Sequence, residues 1–163
     1  MGCNHKIHPS LLQLKSEDKV MNKPLPQSVL SIDVGRKRIG LAGCDALGIT
    51  VTKLSPLIRS TLEEDLIKIK SLCEIRSVKG LVVGLPLDKN GKPTTQAKHC
   101  ERYGKQIAAS LELPIAWVDE HSSTWAAAET LGIHGDRSGY LDSAAAAILL
   151  EQWLNEGPEL EPI

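Results

Sequence analysis

The stretch Ser28 to Asp45, SVLSIDVGRKRIGLAGCD, sets an apolar strand, a glycine turn and a second apolar strand in immediate succession. A connection this short cannot carry a crossover, so the two strands are expected to pair antiparallel. One carboxylate, Asp33, stands inside the first strand. Burying a lone carboxylate costs roughly several kcal/mol unless it is paired, protonated or bound to a metal. Neither Ile32 nor Val34 offers a partner, and the basic residues Arg36, Lys37 and Arg38 come only in the turn, at the rim. An acid so placed reads as a cation site with basic residues near its mouth. The alternative is an Asp that accepts hydrogen bonds from the turn amides of Gly35 and Arg36.

Beyond this hairpin, strands and helices alternate. A third strand is expected near Thr50 to Arg59, where Pro56 argues for an edge position. Thr61 can cap the helix TLEEDLIKIKSLCEIRS, with Glu64 at the capping-box offset. Leu62, Leu66, Ile69, Leu72 and Cys73 in that helix fall on one stripe. GLVVGL is a short strand apolar on both faces, as in the core of a parallel sheet. The loop PLDKNGKPTTQ leads to a helix with Ala97, Cys100, Tyr103, Ile107 and Leu111 along one face. PIAWVDE is another buried strand, followed by possible caps at Ser122, Ser123 and Thr124 for a short helix to about Leu131. A last helix runs from about Gly139 to Asn155. The pattern predicts an α/β fold: a mixed five-stranded sheet, three antiparallel strands then two parallel ones, flanked by helices.

Ligand sites in such sheets lie beyond the carboxyl ends of the parallel strands. Asp33 is near the end of the first strand, and Glu120 ends the last. Asp142, in the first turn of the final helix, shares a side with Ala145 and Leu149. Side chains tilt towards a helix N-terminus, so Asp142 is expected to face the sheet end, and the run Ala144 to Ala147 lets the helix approach closely. Three acids from three elements then converge. Asp119 competes with Glu120, but adjacent residues of a strand face opposite ways.

Composition narrows the function. A net charge of −1 puts any nucleic-acid contact on a local patch, and three Trp, two Tyr and no Phe are too few for a base-stacking platform. Cys3, Cys44, Cys73 and Cys100 have no metal-ligand or paired spacing and read as reduced residues of a cytoplasmic protein. No apolar run approaches the roughly 20 residues of a membrane span. Residues 1–27 have mixed charge and one weak apolar cluster, and are expected to form a disordered leader to a domain at 28–155, with a tail at 156–163. From Asp88 to Ile107, Lys89, Lys92, Lys98, Arg102 and Lys105 outnumber Asp88 and Glu101, a candidate flank for a phosphate backbone that can equally be a solvated face.

DVGRKRIGLA, VVGLPLDKNGKP, VDEHSSTWAA and GYLDSAAAAILLEQWL, in this order and spacing, resemble the YqgF/RuvX family over about Ser28 to Leu154. The resemblance implies a ribonuclease H-like fold and a nuclease. Members of the family are named both as Holliday-junction resolvases and as the enzyme trimming the 5′ end of precursor 16S rRNA. It assigns Asp33, Glu120 and Asp142 as the catalytic acids and as ligands of Mg²⁺ or Mn²⁺. Two hard cations about 3.5–4 Å apart serve phosphodiester hydrolysis, and carboxylates suit them. Arg36, Lys37, Arg38, Lys89, Lys92, His121 and Thr124 are the expected substrate contacts. The family commonly has Arg after the Asp-Glu pair, where this chain has His121, which also reads as a solvent-facing loop residue; Thr124 also reads as a cap. The implied partner is pre-16S rRNA or branched DNA, met by a monomer or a homodimer without a membrane. A catalytically inactive nucleic-acid-binding module of the ribosome or transcription machinery is the competing class. An actin-like ATPase, whose phosphate loop can also read D-x-G, needs two such domains, and this chain has room for one.

Overall fold

Strands joined by tight turns pair with their chain neighbours, and strands joined through helices must cross over; both rules act on one sheet here. The computed structural model describes residues 27–120 and 140–163. The expected leader, Gln27 excepted, and the expected short helix after Ser122 lie outside the described residues. The elements are β1 (Val29–Val34), β2 (Arg38–Cys44), β3 (Val51–Ile58), α1 (Leu62–Ile75), β4 (Gly80–Leu85), α2 (Thr95–Leu111), β5 (Ile115–Asp119) and α3 (Tyr140–Glu156). The five strands form one sheet in the order β3-β2-β1-β4-β5. β1 pairs antiparallel with β2, and β2 with β3, while β1 pairs parallel with β4, and β4 with β5. This is the mixed sheet that the strand and helix pattern predicts.

Strand alternation divides the core in two. Leu30, Ile32 and Val34 of β1, with Leu81 and Val83 of β4, pack on the side of α1 and α2, where they meet Ile69, Cys100 and Ile107. Val29 of β1 and Val82 of β4 face the other way, against Ala146, Leu149 and Leu150 of α3. Central strands covered on both faces are apolar at every position, which is why GLVVGL shows no alternation.

β3 is an edge strand, where Pro56 is tolerated. Its register with β2 passes from Ile39↔Leu57 to Leu41↔Leu54, so Ser55 and Pro56 together lie opposite Gly40. A bulge absorbs the residue that cannot donate to the ladder. The Leu54 carbonyl beside it accepts a hydrogen bond from the Ser143 hydroxyl at 2.6 Å, which fixes the start of α3 over this part of the sheet.

α1 begins with the expected capping box: the Glu64 amide donates to the Thr61 hydroxyl at 3.2 Å, and the Glu64 carboxylate returns to the Ser60 hydroxyl and the Thr61 amide. The expected stripe faces the core and takes in one residue more. Ile69 and Cys73 are buried, Leu62, Leu66 and Leu72 only partly so, and Asp65 is 1% exposed. Asp65 is tolerated there because both oxygens accept, from the Tyr103 hydroxyl at 2.9 Å and the Ser60 amide at 3.1 Å.

The C-terminal segment docks back on the sheet. Ile115 and Glu161 exchange amide-to-carbonyl bonds of 2.9 and 2.8 Å, Leu160 packs over Gly80, and the Trp153 indole donates to the Pro158 carbonyl at 2.7 Å. Among the described residues no helix is long and apolar enough to cross a membrane.

Candidate active site at the carboxyl end of the parallel strands

Asp33 is the last residue of β1 but one, and by alternation it lies on the α3 face with Val29 and Ser31. It is half-buried, and glycines flank it in the sheet. Gly40 of β2 pairs with it directly. Gly84 of β4 comes one position after Val83, which pairs with Ile32. Residues without side chains thus stand on both sides of Asp33, where a Val or Leu would add bulk. The Gly35 amide donates to the Arg38 carbonyl at 3.0 Å, which closes the turn that follows Asp33.

Glu120 follows β5. Its amide donates to the Leu85 carbonyl at 3.1 Å, which extends the parallel ladder one residue past the strand. Its side chain lies over Gly84: a Cβ at that glycine would sit 2.6 Å from Glu120 Oε1 and 2.7 Å from Leu149 Cδ1. Glu120 is thereby lodged between β4 and α3, on the face that holds Asp33. Asp119 pairs with Leu85 and belongs to the opposite face by alternation, and its carbonyl accepts from Gln152 at 3.4 Å. Alternation thus favours Glu120 over Asp119.

The nearness of the two acids is felt through the sheet. Cys100 of α2 lies under the end of β1, its thiol 3.6 Å from the Val34 carbonyl. Burial, then the charges of Glu120 and Asp33, push that thiol up to about 12. The side-chain Nε2 of Gln96 donates to the same carbonyl at 3.2 Å, so α2 grips β1 immediately after Asp33. Nothing in the sequence marks Gln96, Cys100 or Gly84 for these roles, because each depends on which element lies opposite.

Of the third acid, Asp142, the backbone is described: it is in the first turn of α3, one turn before the buried Ala146 and two before Leu149. Its neighbour Ser143 is the residue bonded to Leu54. Position 142 therefore lies on the stripe of α3 that covers the sheet. Among the described residues no group of three His, Cys, Asp or Glu side chains is placed to hold a metal ion. The two carboxylates that are described are hard oxygen donors over a glycine cradle, the donor type that Mg²⁺ and Mn²⁺ take.

The basic candidates surround the same end of the sheet. Arg36 and Lys37 are exposed in the β1–β2 turn, and Arg38, half-buried, opens β2. Lys89 and Lys92 are exposed in the loop that leaves β4. That loop is wound by Asp88, whose Oδ1 accepts from the amides of Asn90 and Lys92, each at 2.8 Å, with Gly91 in the left-handed region at φ 74°. His121 and Thr124 lie outside the described residues.

The profile of the family RuvX, Holliday junction resolvase, matches residues 27–156. A protein of Synechococcus sp. (strain CC9605) named "Putative pre-16S rRNA nuclease" is 66% identical over 140 residues, 86% of this chain and 89% of that protein. One of Prochlorococcus marinus (strain MIT 9313), with the same name, is 63% identical over 86% of this chain and 88% of its own. Among solved structures, T. thermophilus RuvC in complex with a Holliday junction substrate superposes with a TM-score of 0.54 at 13% identity, covering 84% of this chain and 99% of that one. A second Thermus thermophilus RuvC structure gives 0.50 at 12% identity. The sheet order, the helices on both its faces and the match along residues 27–156 agree: the chain has the ribonuclease H-like fold of the resolvases and belongs to the RuvX family.

Proposed function

We propose that this chain is a metal-dependent phosphodiester hydrolase whose substrate is structured RNA, and that its reaction is the 5′-end trimming of precursor 16S rRNA. The observation that carries the reading is the lodging of Glu120 over Gly84, beside Asp33, at the carboxyl end of β1, β4 and β5. Asp33, Glu120 and Asp142 would hold the cations, with Asp33 as the shared ligand and Glu120 and Asp142 each favouring one. Mg²⁺ or Mn²⁺, when bound, supplies an activated water and stabilises the leaving oxygen. The protein's part is positional: the β1 ladder and the grip of Gln96 on Val34 hold Asp33, while the Leu85 carbonyl and Leu149 hold Glu120. Arg36, Lys37 and Arg38 on one side and Lys89 and Lys92 on the other bind backbone phosphates, with His121 and Thr124 as further contacts after β5. We place the enzyme in the cytoplasm, acting as a monomer, since end trimming needs a single active site.

The family's description favours a second reading, resolution of four-way DNA junctions, which requires two active sites and so a homodimer. The test is cleavage by the full chain of a 5′-extended 16S-type RNA and of a four-way DNA junction, with Mg²⁺ or Mn²⁺, in EDTA, and with Asp33→Asn. Trimming of the RNA that is lost in EDTA and in the variant is the expected result. Cutting of the junction alone favours the resolvase. Binding of either substrate without cleavage under any metal returns the chain to the class of inactive binding modules.

A further inference from the structure

We infer that Arg59 is a positioning residue that holds the β1–β2 turn in the shape presenting Arg36 and Lys37 to substrate phosphates; this rests on the phosphate-binding role proposed for that turn. The ladder between the two strands ends at Val34↔Ile39, so Asp33 is inside it and Arg36 and Lys37 are beyond it. Within the turn one backbone bond, Gly35 amide to Arg38 carbonyl, closes the loop. Arg59, just past the end of β3, adds two more from outside: its amide donates to the Lys37 carbonyl at 3.0 Å, and its Nη1 to the Gly35 carbonyl at 2.9 Å. Two carbonyls that bracket Arg36 are thus tied to one residue.

The guanidinium is itself seated. It stacks 4.9 Å from the centroid of Tyr103, whose hydroxyl is bonded to the buried Asp65. Nη1 also lies 3.0 Å from His99 Nε2. Burial and the charges of Arg59 and Arg102 favour the neutral imidazole, which accepts at that nitrogen. These contacts run inward, to a carbonyl, an imidazole and a ring, which is the work of a brace and not of a phosphate ligand. A lysine cannot replace it, since a point charge on a flexible stem neither stacks flat nor donates through a planar fork.

The test measures binding of a structured RNA with a 5′ single-stranded extension by anisotropy in EDTA, across a salt series. The proteins are wild type, Arg59→Lys, Arg59→Ala and Arg36→Ala/Lys37→Ala. A direct phosphate ligand contributes to the salt slope, whereas losing a brace adds the salt-independent cost of ordering the turn on binding, with the Arg36 and Lys37 contacts still made in the complex. Both Arg59 variants are expected to bind about tenfold more weakly with the wild-type slope. The double variant flattens the slope. Hydrogen exchange at the Gly35 amide should speed up in Arg59→Lys, and the Mn²⁺-induced rise in Tm should stay, because Asp33 is inside the ladder. Wild-type binding in Arg59→Lys, or a flattened slope in Arg59→Ala, overturns the inference. Undiminished binding and slope in the double variant overturn the phosphate role of the turn and the inference with it. The first failure leaves the turn essential for binding and the second does not, so the two are told apart.

Discussion

Gly84 has no side chain, yet it decides where Glu120, the acid proposed for the site, can lie. A methyl group there meets Glu120 Oε1 at 2.6 Å and Leu149 Cδ1 at 2.7 Å. Leu149 is fully buried and cannot yield without disturbing the core, so Gly84→Ala is expected to lower stability by about 1–3 kcal/mol in urea unfolding and to cut cleavage at least about tenfold. Asp33→Asn should behave in the opposite way for stability. If Asp33, Glu120 and Asp142 share one cation site, each charge is repelled by the others in the absence of metal. Removing one then leaves Tm in EDTA unchanged or raised, and abolishes the extra stability that millimolar Mn²⁺ gives wild type. An Asp33 serving only the turn would instead lose about 1 kcal/mol regardless of metal. That Asp33 and Glu120 come to one end and one face of the sheet was legible in the sequence, because strand order and alternation fix both. Asp65 was not legible. It sits in LEEDL beside the exposed Glu63 and Glu64, and only the Tyr103 hydroxyl from another helix makes its burial tolerable.

At the scale of elements, sequence pattern and structure agree where a whole face is buried. The five strands and the three long helices announce themselves by apolar runs or a three-and-four spacing, and the Thr61 cap by its offset to Glu64. Where an element consists of one bridge, no pattern exists to read. The segment 158–161 has no alternation, and its position follows from the two bonds between Glu161 and Ile115 and from the fit of Leu160 over Gly80. Ending the chain at Gly157 removes those bonds and the apolar contact, a loss of about 2–3 kcal/mol in urea unfolding. Faster exchange of the Ile115 amide in the shortened chain would locate the loss at β5. The site should survive, since Glu120 is held from β4 and α3 and not from the tail.

The molecule as a whole should be weakened by alkali. Burial, with the Glu74 charge second, raises the Cys73 thiol to about 11, and burial chiefly raises Cys100 to about 12, from 9.0 in each case. A thiol whose folded pKa is raised contributes its full share of stability below pH 9 and loses it as pH rises through the folded value, because the unfolded chain releases its proton first. Melting temperatures should therefore fall between pH 9 and about 11, and Cys73→Ala should flatten that fall while lowering Tm at pH 7. The order β3-β2-β1-β4-β5 has a temporal side as well. The strand made first is the middle of the sheet, so on a ribosome the hairpin of β1 and β2 emerges with one flank of β1 still open. That flank waits for Gly80–Leu85, the flank of β4 waits for Ile115–Asp119, and Ile115 waits for Glu161. The sheet grows outward from its centre, and the outer side of β5 lacks its bridge at Ile115 until residue 161 has been added.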